Sequence, residues 1–129
     1  MDVKDVVIPK GMESFYEQFH FAPAVRDHDH LYCSGVIGIG PDGKCSSDPE
    51  TQFTQAFESL KSVLETAGGS LANIVDMTTF HVNLQKNIGA FSKVKDHFLK
   101  APYPAWTAIG ITELALPGGL VEIKVVARL

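Results

Sequence analysis

The stretch Pro102–Leu129, PYPAWTAIGITELALPGGLVEIKVVARL, decides how the chain is read. After the turn-forming Leu116-Pro117-Gly118-Gly119, apolar Val121, Ile123, Val125, Ala127 and Leu129 alternate with Glu122, Lys124 and Arg128. That period of two is a strand with one oily face and one face carrying ionisable groups. Ala105 to Thr112 alternates too, with Thr107, Ile109 and Ile111 on one side and Trp106, Ala108, Gly110 and Thr112 on the other. The oily faces are expected in the core and the remaining faces against neighbouring subunits.

Working back from this ending, Asp48 and Pro49 open a helix as N-cap and first helical residue. Phe53, Ala56, Phe57, Leu60, Val63, Leu64 and Ala67 form its apolar stripe, and Gly68-Gly69 stops it. Gln52 and Gln55 fall on the opposite, solvated face. Ser70 to Asn73 reads as a capped turn and Ile74 to Val82 as a central strand. In that strand Met77, Thr79 and His81 share a face with Val75, whereas Ile74, Phe80 and Val82 share one with Asp76 and Thr78. A second helix runs from about Asn87 to Lys100 and ends before Pro102. Near the N-terminus, Val3–Ile8 reads as an edge strand, and Phe21–Arg26 and Leu31–Ile37 flank the hairpin turn Asp27–His30. Ser34-Gly35 interrupts the second of these strands, and glycine in a strand often marks a bulge or a place where a ligand or another backbone comes close.

The predicted architecture is one α+β domain over residues 1–129, a mixed β-sheet with two helices packed on one face. Trp106, Met77 and a glycine-bearing strand are assigned to the uncovered face, which calls for a symmetric oligomer. A net charge of -4 argues against nucleic acid as a main partner. No apolar run is long enough to span a membrane and no signal peptide is visible, so the expected location is cytoplasmic. Cys33 and Cys45 lack metal-site spacing and are expected as reduced thiols. His28 and His30 are expected to serve the turn rather than a metal, and His81 is the one histidine expected to line a cleft.

Phe21-Ala22-Pro23-Ala24-Val25-Arg26, Leu31-Tyr32-Cys33-Ser34-Gly35, Leu64-Glu65-Thr66-Ala67-Gly68, Pro104-Ala105 and Val121-Glu122-Ile123 occur in an order that resembles the YjgF/RidA superfamily of reactive intermediate deaminases. The ending is similar to the YjgH-like branch. The resemblance implies a chorismate-mutase-like fold, a homotrimer with a central barrel, and three clefts between subunits. It also implies hydrolysis of enamines or imines to ammonia and a 2-keto acid, without a cofactor.

Carried over residue by residue, the family's water-positioning acid falls on Glu122, a type suited to take a proton from water as it adds to an iminium carbon. An ion pair with Lys124, Arg128 or another chain's cation is the structural alternative. The pocket Ser-Gly pair falls on Ser34 and Gly35, and the pocket tyrosine on Phe21, which lacks the hydroxyl. The carboxylate-gripping arginine falls on Trp106, and that loss could weaken carboxylate binding by roughly 1.5–3 kcal/mol. Trp106 either recognises a different flat, apolar or cationic ligand or fills the old pocket. Lys95 either supplies a replacement cation or lays its stem along the core edge. The candidate set is thus Glu122 as the catalytic residue, with Phe21, Ser34, Gly35, Lys95, Trp106 and Ala108 binding a small molecule other than 2-aminoacrylate. The alternative is a non-catalytic binder of small metabolites on the same scaffold.

Overall fold

The computed structural model describes residues 1–129 as a seven-stranded sheet with its main helices on one face. A 3-10 turn at Val3–Asp5 leads to β1 (Val6–Val7), followed by the short helix α1 (Glu13–Glu17). β2 (Ala24–Asp27) and β3 (His30–Cys33) form the expected hairpin, with Asp27 paired to His30. Ser34-Gly35 breaks the strand before β4 (Val36–Ile37). Then come α2 (Pro49–Thr66), β5 (Ile74–Val82), α3 (Leu84–Phe98), β6 (Ala105–Ile111) and β7 (Val121–Arg128). The sheet order is β1-β2-β3-β7-β5-β6, with β4 also pairing to β7. Only β5 and β6 are parallel, joined across α3, so the sheet is mixed and β6 is an edge.

α2 forms where its caps and stripe place it. The Asp48 side chain accepts a hydrogen bond from the Thr51 N–H, and Phe53, Ala56, Phe57, Leu60, Val63 and Leu64 are fully buried. Burial of each large apolar side chain stabilises by about 1.5–3 kcal/mol, so this stripe dominates the packing of the helix layer. Facing it lie Val121, Ile123, Val125 and Ala127 of β7, all buried. Phe91 of α3 closes the core between the rings of Phe53 and Phe57.

Four expectations are corrected. Gln52 is not solvated but fully buried, because its amide donates to the carbonyls of Ser46 and Gly118 and accepts from the Leu120 N–H at 2.6 Å. α3 begins at Leu84 rather than near Asn87, since Asn83 takes a left-handed φ of 58° and starts the helix without a side-chain cap. A bulge between Ile74 and Asp76 shifts the parity of β5, placing Ile74 on the same buried face as Met77, Thr79 and His81. Trp106 and Met77 are paired neighbours on the helix-covered face, not the open one, whereas Ile109 lies on the open face beside Phe80.

Candidate functional site

The predicted site residues fall into two groups. Phe21, Ser34, Gly35 and Glu122 cluster around the β3–β4 break. The Ser34 hydroxyl donates to the Ala22 carbonyl at 2.6 Å and the Ser34 N–H to the Pro23 carbonyl at 2.9 Å, which ties this break to the segment carrying Phe21. Phe21 stacks on Phe15 at 5.4 Å and stays partly exposed. Ser34 is therefore a fastening, its hydroxyl proton committed to the backbone. A β-carbon built on Gly35 lies 2.6 Å from the carboxyl carbon of Glu122, so only glycine lets that carboxylate rest on the backbone.

Glu122 is half-buried in a row Ile37–Glu122–Phe80–Ile109 across β4, β7, β5 and β6. Its flanking neighbours in the row are apolar. It joins none of the chain's salt bridges, and no side-chain hydrogen bond holds it. Lys124, the ion-pair alternative, instead donates to the Cys33 carbonyl at 3.3 Å. Within the chain the carboxylate is thus placed by packing and has no polar partner.

The second group is Lys95, Trp106 and Ala108, on α3 and the edge strand β6. Trp106 donates its indole N–H to the Thr79 hydroxyl at 2.9 Å, and Thr79 is 2.7 Å from His81 Nε2. Its ring packs on Phe91 at 5.9 Å, and the Lys95 ammonium stands 5.0 Å from the ring centroid. Lys95 also contacts the Asp96 carboxylate at 2.8 Å. Ala108 pairs with Thr79 and is exposed. His81 does not line an open cleft: it is fully buried, edge-on to Phe91 at 4.8 Å, and burial holds its pKa below the usual histidine value. Thr79 and His81 escaped notice as supports of Trp106, although the shared alternation of Met77-Thr79-His81 and Trp106-Ala108 was the available signal.

Pairing register puts Glu122 on the open face of the sheet and Trp106 on the helix-covered face. Within one chain the two groups point away from each other. His28 and His30 each pair with the preceding aspartate at 2.9 Å. The Cys33 thiol is pushed up to about 11, mainly by burial, and both cysteines are free.

A mixed sheet with helices on one face, a parallel β5-α3-β6 unit and a glycine-backed glutamate on the closing strand define the class of small α+β domains to which the comparisons also lead. The family model described as Endoribonuclease L-PSP matches residues 13–129, and the chain belongs to this family, the YjgF/RidA superfamily. It is 37% identical to the RutC family protein YjgH of Escherichia coli (strain K12) over 127 residues, covering 98% of this chain and 95% of that protein. The solved structure of protein YJGH superposes with a TM-score of 0.87 at 37% identity, covering 96% of this chain and 95% of that one. RidA from the Antarctic bacterium Psychrobacter sp. PAMC 21119 gives 0.79 at 26% identity, covering 100% and 98%. No helix is long and apolar enough to cross a membrane.

Proposed function

We propose that this protein hydrolyses a small imine or enamine in a cleft between two subunits of a homotrimer, with Glu122 activating water and no cofactor taking part. The observation that carries this reading is the Glu122 carboxylate, half-buried beside apolar Ile37 and Phe80, packed on Gly35 and unpaired within the chain. Such a carboxylate accepts a proton from water as the oxygen bonds to the C=N carbon and the π pair moves to nitrogen. Returned to nitrogen, that proton completes a neutral carbinolamine, C(OH)–NH2; transfer of its hydroxyl proton to nitrogen, relayed by the same carboxylate, then makes ammonia the leaving group as the C–N bond breaks and the carbonyl forms.

Two subunits are needed because Glu122 and Trp106 face opposite sides of their own sheet. β6 is an unpaired edge whose residues Ala105–Gly110 are all exposed, and the open face presents Tyr32 and Ile109. An edge and an apolar face of this kind suit burial against further copies. A phosphodiester would meet the Glu122 carboxylate, which disfavours RNA as the substrate. Trp106, with its N–H closed off by Thr79 and its ring on Phe91, favours as second reading a binder of flat metabolites without chemistry.

Ammonia release from a panel of imines, with and without a carboxylate, comparing the native chain with Glu122→Ala, tests the assignment. Turnover lost in the variant supports a hydrolase. No turnover by the native oligomer on any imine moves the assignment to the binder.

A further inference from the structure

The wall formed by Trp106 and Lys95 has a definite chemical preference. Indole N–H groups only donate, and this one is spent on Thr79, whose oxygen is also within 2.7 Å of His81 Nε2. With Thr79 and His81 fully buried, the ring is fixed in orientation and offers a ligand no hydrogen bond. What it offers is partly exposed apolar surface, 37% accessible, and the ammonium of Lys95 standing 5.0 Å from its centroid. The ring's attraction for a cation is therefore already taken up by the chain's own lysine. A cationic ligand would meet that ammonium at close range, whereas an anionic one would gain it as a partner.

The Lys95 side chain is only 14% exposed, but its partner Asp96 is 69% exposed. The exposed Asp96 carboxylate is well solvated on its own, so a ligand's anionic group can take its place on the largely covered ammonium. The ammonium is also a single-point cation, without the fork of a guanidinium, so it grips charge without dictating planar carboxylate geometry.

We infer that Lys95 and Trp106 form an anion subsite whose ligand is a small flat organic acid, its negative group on the Lys95 ammonium and its apolar body against the indole. This rests on the imine-hydrolase reading for its place in the cleft and narrows the substrate class to acids bulkier and flatter than the smallest imino acids. Thr79 and His81 are positioning residues that keep the indole face turned toward this subsite.

Trp106 is the only tryptophan of the chain, so its fluorescence reports on the subsite directly. Phenylacetate and phenethylamine carry the same ring and opposite charges, and both are titrated into the intact oligomer. Phenylacetate is expected to change Trp106 emission saturably and to bind at least tenfold more tightly than phenethylamine, on the order of one charge-assisted contact. Lys95→Met is expected to weaken phenylacetate roughly ten- to a hundredfold. Asp96→Asn, which removes the competing carboxylate, is expected to tighten it, a change that a merely structural role for Lys95 does not produce. Absence of saturable phenylacetate binding, an unchanged affinity in Lys95→Met, or tighter binding of phenethylamine overturns the subsite. Glu122→Ala separates the two ideas: it is expected to keep phenylacetate binding while losing ammonia release. Glu122-dependent ammonia release that persists with no Lys95 effect on binding would discard the subsite and leave the hydrolase.

Discussion

Glu122 leans on Gly35 so closely that a β-carbon at position 35 would sit 2.6 Å from its carboxyl carbon. Two elements meet there, the β3–β4 break and β7, and the missing side chain of one makes room for the functional group of the other. Gly35→Ala is therefore expected to displace the carboxylate while the fold survives. The clash is with the flexible end of the Glu122 side chain, which can swing aside, so stability should change little, and ammonia release should fall by far more than the Tm shift accounts for. Full activity in a well-folded Gly35→Ala protein would detach the glycine from the site.

Gln52 bonds three backbone groups that precede α2 or lead into β7, the Ser46 and Gly118 carbonyls and the Leu120 N–H. Gly38 permits this, since a β-carbon there would overlap the Gln52 carbonyl oxygen. Replacing Gln52 by Leu leaves buried polar groups without partners and is expected to destabilise by about 2–4 kcal/mol. Urea unfolding checks this, and a midpoint within error of the native chain would contradict it.

His81 sets a pH dependence whose sign follows from its burial. Its Nδ1 has no partner and burial holds its pKa below the usual value, so the folded state resists a proton that the unfolded chain takes up near pH 6.5. Below that pH the unfolded state binds more protons, and stability contributed in full above it is lost as pH falls through 6 towards the lowered folded-state pKa. In urea melts from pH 7.5 to 5, the native chain should lose stability more steeply than His81→Asn. Parallel slopes would rule this out.

The proposed homotrimer, which would cover the open apolar surface and the exposed edge β6, has a definite mass in solution. Light scattering coupled to size exclusion is expected to give three times 14.0 kDa, and Ile109→Lys, on the open face, is expected to shift it towards monomer. A monomeric native chain would remove the inter-subunit cleft.

Thiol accessibility is the simplest check on the core. Cys33 is 1% exposed with a thiol pushed up to about 11, whereas Cys45 is partly accessible. One thiol should react promptly with an aromatic disulfide reagent and the second only on unfolding. Equal rates for both would show that β3 opens readily.

Much of this arrangement was legible in the chain. The α2 stripe and its Asp48-Pro49 start follow from helical spacing and capping, and Ser34-Gly35 marked the strand break because glycine within a strand often marks a bulge or the close approach of another group. Which faces of β5 and β6 the helices cover was not legible. A single extra residue at the Val75 bulge moves Ile74 to the face of Met77, and parallel pairing sets Trp106 beside Met77 on that face, under α3. Alternation in β6 named its two faces but not which one the helices cover, because both carry apolar residues. Gln52 was misplaced for a related reason: its burial depends on backbone groups of two distant loops, which helical periodicity does not register.

The most direct test of the central claim is Glu122→Gln, which keeps the shape of the side chain and its packing on Gly35 but removes the base. Single-turnover ammonia release from an imine that the native protein hydrolyses should fall by about 10²–10⁴-fold, with ligand affinity and oligomeric mass unchanged. Retention of the native rate in Glu122→Gln would show that water is activated by another group and would contradict the assignment.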